Sequence, residues 1–179
     1  MFGFLKKEKP AFYRGVFGEL AFCSLLFCAG AVAGAYSGSF SPPLSGVSPL
    51  AADRAFFVRL LIFILPGLAS AVFASSVSGL VLLPALAVAV GFLAGYAFSV
   101  CVLSGGVFSL VMSGNWQLLA LLPFFIALTA YSLAFSRALS AFFFKGTRPD
   151  SVLSVGFYKS LIIYSAAALA LFAQTALAG

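Results

Sequence analysis

Ionisable side chains are almost absent from the middle of this 179-residue chain. Between Arg59 and Arg137 there is no Asp, Glu, Lys, Arg or His over 77 residues. Charged residues make up 8% of the whole chain, against about 25% in soluble proteins. A membrane-spanning helix needs about 20 mostly apolar residues, so this interval alone is long enough for three passes. The sequence therefore predicts a polytopic membrane protein whose main partner is the lipid bilayer.

Histidine is also absent, and only four carboxylates are present. The lack of histidine excludes metal ligation through imidazole, His-based acid–base catalysis and Ser-His triads. Cys23, Cys28 and Cys101 lie in apolar surroundings without ligand spacing, which is typical of small buried hydrophobic residues. The serines have no nearby base to activate them as nucleophiles. We expect neither an enzyme nor a cofactor or metal site.

The apolar runs predict one all-α membrane domain over residues 1–179, built as a bundle of five helices. A polar break at Ser75 to Gly79 fits a tight hairpin, and Val107 to Met112 is interpreted as a re-entrant or interfacial loop. Trp116 stands where an interfacial aromatic residue belongs. The expected helices are residues 16–37, 56–76, 80–103, 116–139 and 154–177.

The distribution of basic residues predicts the direction of insertion. With the N-terminus inside and five passes, eight basic residues face the cytoplasm and only Arg54 and Arg59 face out. This N-in, C-out arrangement also explains the net charge of +6, so no nucleic-acid partner is expected. The basic residues Lys6 to Arg14, the apolar run and the small residues Ala31 to Ala33 or Ala33 to Ala35 also resemble a cleavable secretory signal. Cleavage there would leave the direction of the other passes unchanged.

Glu19 is the only acidic residue expected at membrane depth, which makes it a candidate functional group. Its candidate partner is Arg137, because both residues should lie near the cytoplasmic interface. The alternative interpretation is that Glu19 touches headgroup water one turn above Arg14. A proton or ion relay would need several such groups in series, and the sequence does not supply them.

Two small-residue motifs predict close helix packing. Gly30 and Gly34, followed by Ala35, clear one face of the first helix, and Gly91 and Gly95 clear one face of the third. Such faces let another backbone approach closely. They are interpreted as contacts between passes of one subunit, and a seam to a partner or to a second copy of the chain stays open.

The order of these features resembles that of the stage II sporulation protein M family of spore-forming bacteria. That family has a short basic N-terminus, a glycine-patterned first helix, and a second helix ending in a Ser-x-x-Gly turn. A glycine-patterned third helix, a loop with a Leu-Pro-Gln-Asn segment, a downstream Pro and a Ser-Arg-rich helix end follow. The matching positions here are Phe27 to Ala35, Ser76 to Gly79, Gly91 to Tyr96, Gln117, Pro123 and Ser136 to Arg137.

The resemblance implies a membrane scaffold without activity of its own. In the family, the M protein recruits two membrane-anchored peptidoglycan-cleaving enzymes and holds them at the septum during engulfment. For this chain it implies the same class of partner and a septal position in the cell membrane. The glycine faces and an outer loop at residues 38–53 would be the contact surfaces. The chain departs from the family pattern at Val90, Trp116 and Leu118.

A small transport protein or permease subunit is the alternative. Prolines 66, 84 and 123, the glycine-rich third pass and the expected re-entrant segment could line a broken-helix site for a neutral or lipid-like solute. Against it, no inverted repeat is detectable, and the interior has hardly any ionisable residue to couple ions.

Overall fold

A computed structural model describes residues 9–40, 64–112, 116–146 and 151–177. Within these ranges the chain is helical apart from short turns, and it contains no β-strand. In lipid an α-helix satisfies all its own backbone hydrogen bonds, which an apolar chain of this kind requires. The helices are α1 Lys9–Ser39, α2 Ile64–Ala74, α3 Gly79–Met112, α4 Trp116–Lys145 and α5 Ser151–Leu177.

Four of these helices contain segments long and apolar enough to cross a membrane. The described part of α2 is apolar but shorter, and the predicted residues 56–63 before it lie outside the described residues. The all-helical class is therefore confirmed for the described residues, and the four long apolar helices fit a multi-pass membrane bundle. The fifth pass and the direction of insertion stay predictions. The four segments are Val16–Ser39, Gly79–Val100, Leu119–Lys145 and Leu153–Gln174.

The third helix is longer than the sequence indicated. The loop expected at Val107 to Met112 is wrong, because α3 continues as one helix to Met112. Glycine and serine before that segment each weaken a helix by up to about 1 kcal/mol, which is too little to end one inside a long apolar run. The end of α1 also differs from the prediction, because Gly38, expected in an outer loop, is helical.

Gly146 ends α4. Its φ of 68° lies in the left-handed region that L side chains rarely adopt, and its N–H donates to the Phe142 carbonyl oxygen at 3.0 Å. This glycine C-cap satisfies one of the carbonyls left unpaired at a helix end. The fourth helix therefore extends six residues beyond the predicted end at 139.

α4 is the central helix of the bundle. In an 18-residue apolar window of its membrane segment 44% of residues are buried within the protein, against 22% in the corresponding window of each of the other three. One side of α4 packs in a cluster with α2 and α5, and the other packs with α1 and α3. The first cluster consists of Ala74, Leu121, Phe125, Leu128, Phe157, Tyr164 and Ala168, and the second of Cys23, Leu83, Ala130 and Leu133.

A tight turn at residues 75–78 joins α2 to α3, as the polar break predicted. In it the Gly79 N–H donates to the Ser76 carbonyl oxygen at 3.1 Å. Glu19 of α1, this turn and Arg137 of α4 all lie at one end of the bundle, which we call the basal end. Helices α1 and α3 leave the basal end together, and α4 returns to it.

Candidate functional site

The glycines of α1 bring its backbone against that of α3. A Cβ atom on Gly30 would collide with the Val88 carbonyl oxygen, and one on Gly34 with the Phe92 carbonyl oxygen. Both obstacles are backbone atoms, which cannot swing aside as the end of a flexible side chain can. The two positions therefore tolerate no side chain while the helices keep this separation.

The glycines of α3 do the same from the other side. A Cβ on Gly91 would collide with the Phe27 carbonyl oxygen, and one on Gly95 with that of Ala31. Residues later in α1 contact residues later in α3, so the two helices run parallel. The two sequence motifs thus pack against each other within one chain. Ala35, predicted beside them, is half-buried at the edge of this contact.

Gly38 belongs to the same contact, although its sequence context predicts an outer loop there. A Cβ on it would lie 2.9 Å from the Ser99 Cβ and 3.0 Å from the Tyr96 carbonyl oxygen. The signal was present in the sequence, since Gly38 follows Gly34 by the same four-residue step that separates Gly34 from Gly30. The interface therefore continues over one more turn than predicted.

The structure also brings together the two charged residues singled out in the sequence. At the basal end the Arg137 guanidinium donates through Nη1 to Glu19 Oε1 and forms a salt bridge between α4 and α1. The Glu19 side chain is 8% exposed and that of Arg137 is 58% exposed. A carboxylate so deeply covered needs a charged or hydrogen-bonding partner, and Arg137 supplies both.

A second polar contact at the basal end fixes α4 to the hairpin. The Ser136 hydroxyl donates to the Ser76 carbonyl oxygen at 2.8 Å. Gly79 lies against the same hydroxyl, since a Cβ added there would be 2.8 Å from Ser136 Oγ. The adjacent residues Ser136 and Arg137 therefore hold two different elements, the turn and α1.

Further hydroxyls are buried along α2, α4 and α5. Thr129 donates to the Phe125 carbonyl oxygen at 2.9 Å, a bond to the preceding turn of its own helix. Within the part of the chain that the structure describes, the hydroxyls of Ser70 and Ser132 are buried without a hydrogen-bond partner. Ser132 and Ser136 thus form a natural pair for comparison, one turn apart on α4.

We expect Ser136→Ala to lower the free energy of unfolding by about 0.6 to 1.7 kcal/mol, the range for hydrogen bonds between membrane helices. Ser132→Ala should leave it unchanged or raise it slightly, because it removes a buried hydroxyl that has no partner. Unfolding in mixed micelles by increasing the fraction of denaturing detergent would measure both. Equal losses in the two variants would contradict the assigned hydrogen bond.

The remaining predicted positions do not gather into a site. Gln117 and Pro123, which match the loop segment and the downstream proline of the sporulation family, both lie inside α4, as the predicted helix at 116–139 places them. The helix continues through Pro123, as membrane helices do when neighbouring groups satisfy the freed carbonyl. Only the backbone of Gln117 is described, and Pro123 is exposed on the bundle surface.

No cluster of three or more His, Cys, Asp or Glu side chains that could hold a metal occurs among the described residues. Cys23 is buried next to the Glu19 turn and Cys28 is exposed, so the two thiols lie on different faces of α1. The arrangement of the described residues offers helix packing, an ion pair between α1 and α4, and a hydrogen bond from α4 to the turn before α3. No protein-family model matches the chain, and no curated protein or solved structure is detectably similar to it.

Proposed function

We propose that this chain is a non-enzymatic scaffold of the cell membrane that holds membrane-anchored peptidoglycan hydrolases at the septum, as the stage II sporulation protein M family does. The proposal includes five passes with the N-terminus inside and the C-terminus outside. The basal end is then cytoplasmic, which agrees with Arg137 and Lys145 lying at the basal end of α4. It is supported by the motif resemblance and by an exposed row of small residues on α1.

The single observation that carries the proposal is the exposed face of α1. Its glycine face is covered by α3, and its Glu19 is paired with Arg137 of α4, so neither is free for a partner. A neighbouring face, about 100° round the helix axis from the glycine face, is exposed and carries Ala29, Ala33 and Ser37 at four-residue steps. Small residues in this spacing let a single-span helix approach closely in lipid. The proposed partner surface is therefore this second face and not the Gly30/Gly34 face.

The transport alternative loses one of its arguments. It relied on broken helices, but α3 runs unbroken through Pro84 and α4 through Pro123. The re-entrant segment that it invoked is the helical end of α3. A continuous helix presents no free backbone groups to a solute at mid-membrane depth.

The test is retention of peptidoglycan-cleaving activity by the tagged protein purified from its host in mild detergent. Wild type should retain it, and Ala29→Leu and Ala33→Leu should lose it because Leu fills the space a partner helix needs. Ala85→Leu is the matched control, since it makes the same change on an exposed face of α3 and should retain activity. Loss in all three variants, or retention in all three, would overturn the proposed surface.

A further inference from the structure

An apolar cavity of about 380 Å³ opens between four helices, away from the basal end. The apolar segment of α3 starts at Gly79, at the basal end. The α3 residues that line the cavity lie 11 to 18 residues after Gly79, or about 16 to 27 Å further along the helix axis. A hydrocarbon core is about 30 Å thick, so the cavity lies in its far half. The lining residues are Leu65, Pro66, Val90, Leu93, Ala94, Tyr96, Ala97, Leu121, Leu122, Phe125 and Tyr164.

The cavity has a closed floor and an open mouth. The floor is made by Leu121 and Phe125 of α4 and Tyr164 of α5, each 5% exposed or less. The mouth lies between α2 and α3, where Leu65 and Leu93 are both more than half exposed. It therefore opens sideways, at a depth where the surrounding solvent is lipid hydrocarbon.

Water is a poor occupant of this space. No charged residue lines it, and the tyrosines are the only side chains of the lining with a hydroxyl. A hydrogen bond joins the Tyr164 hydroxyl to the backbone of Gly67 on α2. A buried water needs two to four polar partners, and the volume would hold several waters at about 30 Å³ each. An empty cavity would forfeit the dispersion contacts of all its lining atoms.

We propose that this cavity binds one acyl chain of a membrane lipid, which enters sideways between α2 and α3. The ligand class follows from an uncharged lining, a mouth at hydrocarbon depth and a floor too apolar for water. Lipid tails are as apolar as the lining, so the hydrophobic effect supplies little, and shape and dispersion contacts hold the chain. The site is independent of the scaffold surface on α1.

Photocrosslinking tests the site. The full chain is reconstituted in nanodiscs containing a phosphatidylglycerol with a diazirine within one acyl chain, irradiated, and digested for peptide mapping. Lipid at the outer surface of the bundle can label only exposed side chains. An acyl chain in the cavity also labels Leu121 and Phe125, which surface lipid cannot reach. Labelling confined to exposed positions would overturn the proposal.

Two substitutions make the test specific. Ala94→Phe fills the cavity and should abolish labelling of the floor, and Ala97→Phe at the exposed edge of the lining should do the same if Ala94→Phe fails to fold. Ala89→Phe, on an exposed position of α3 outside the lining, should leave it unchanged. Floor labelling that survives both cavity variants contradicts the proposal.

Discussion

Gly34→Ala destabilises this protein, although alanine is the best helix former of all residues. The added methyl group meets the Phe92 carbonyl oxygen of α3, a backbone atom, so relief requires the two helices to separate. Overpacking of this kind costs about 1 to 3 kcal/mol, which exceeds the gain of up to about 1 kcal/mol from helix propensity. The net loss should be visible as a lower free energy of unfolding in mixed micelles.

Gly18→Ala is the matched control on the same helix. No heavy atom outside the neighbouring backbone lies within 4 Å of a Cβ built there, so the propensity term acts alone. We expect it to raise the free energy of unfolding by up to about 1 kcal/mol. The same substitution thus has opposite signs at two positions of α1. Stabilisation by Gly34→Ala would show that α1 and α3 are not in contact at these glycines.

Substitution by leucine should have different effects on the glycine face of α1 and on its exposed face. Gly34→Leu should cost more than Gly34→Ala, and the protein should unfold or lose α1 from the bundle. Ala33→Leu, one residue earlier on the exposed face, should change the free energy of unfolding by no more than about 0.5 kcal/mol. This measurement also serves as a folding control for the test of retained peptidoglycan-cleaving activity, because loss of hydrolase binding by a stable Ala33→Leu variant cannot be attributed to misfolding.

The sequence predicts the helical class and the two glycine motifs because both depend on local composition and spacing. A four-residue step of glycines shows that a helix face is clear, but it does not say which helix will fill it. That Gly30 and Gly34 meet the neighbourhood of Gly91 and Gly95 depends on the parallel alignment of α1 and α3, a tertiary property. Gly38 was missed because the serines around it suggested a loop.

The ion pair was predictable for a different reason, namely scarcity. With one acid at membrane depth and one base on the facing helix end, few pairings are possible. The end of α3 was mispredicted because glycine and serine are common in loops. In lipid, however, these residues favour a helix, because a helix satisfies the hydrogen bonds of their backbone N–H and C=O groups. The cavity could not be predicted, since its lining comes from four helices and no periodic pattern marks it.

Arg137→Gln should have the larger effect of the two single changes at the ion pair. It leaves the Glu19 carboxylate without its partner although that side chain is 8% exposed, and breaking a buried pair from one side costs about 3 to 5 kcal/mol. We expect about 3 kcal/mol, the lower end, because the Arg137 side chain is 58% exposed and partly screened already. Lys145→Gln, an exposed basic residue at the end of the same helix, should change stability by no more than about 0.5 kcal/mol.

The two single variants of the ion pair should lower stability by different amounts, because Glu19 is buried and Arg137 is exposed. Glu19→Gln leaves a guanidinium that already reaches the surface, so it should cost only about 1 kcal/mol, the net value of one hydrogen bond. The double variant removes both charges and should therefore be more stable than Arg137→Gln alone. The expected coupling energy between the two residues is roughly 2 kcal/mol, within the range of about 0.5 to 3 kcal/mol that is typical of residues in contact. Additive losses in the two single variants would mean that Glu19 and Arg137 do not interact. Equal losses would mean that burial of the carboxylate does not decide the cost, and α1 would then be fixed to the bundle by its glycine face alone.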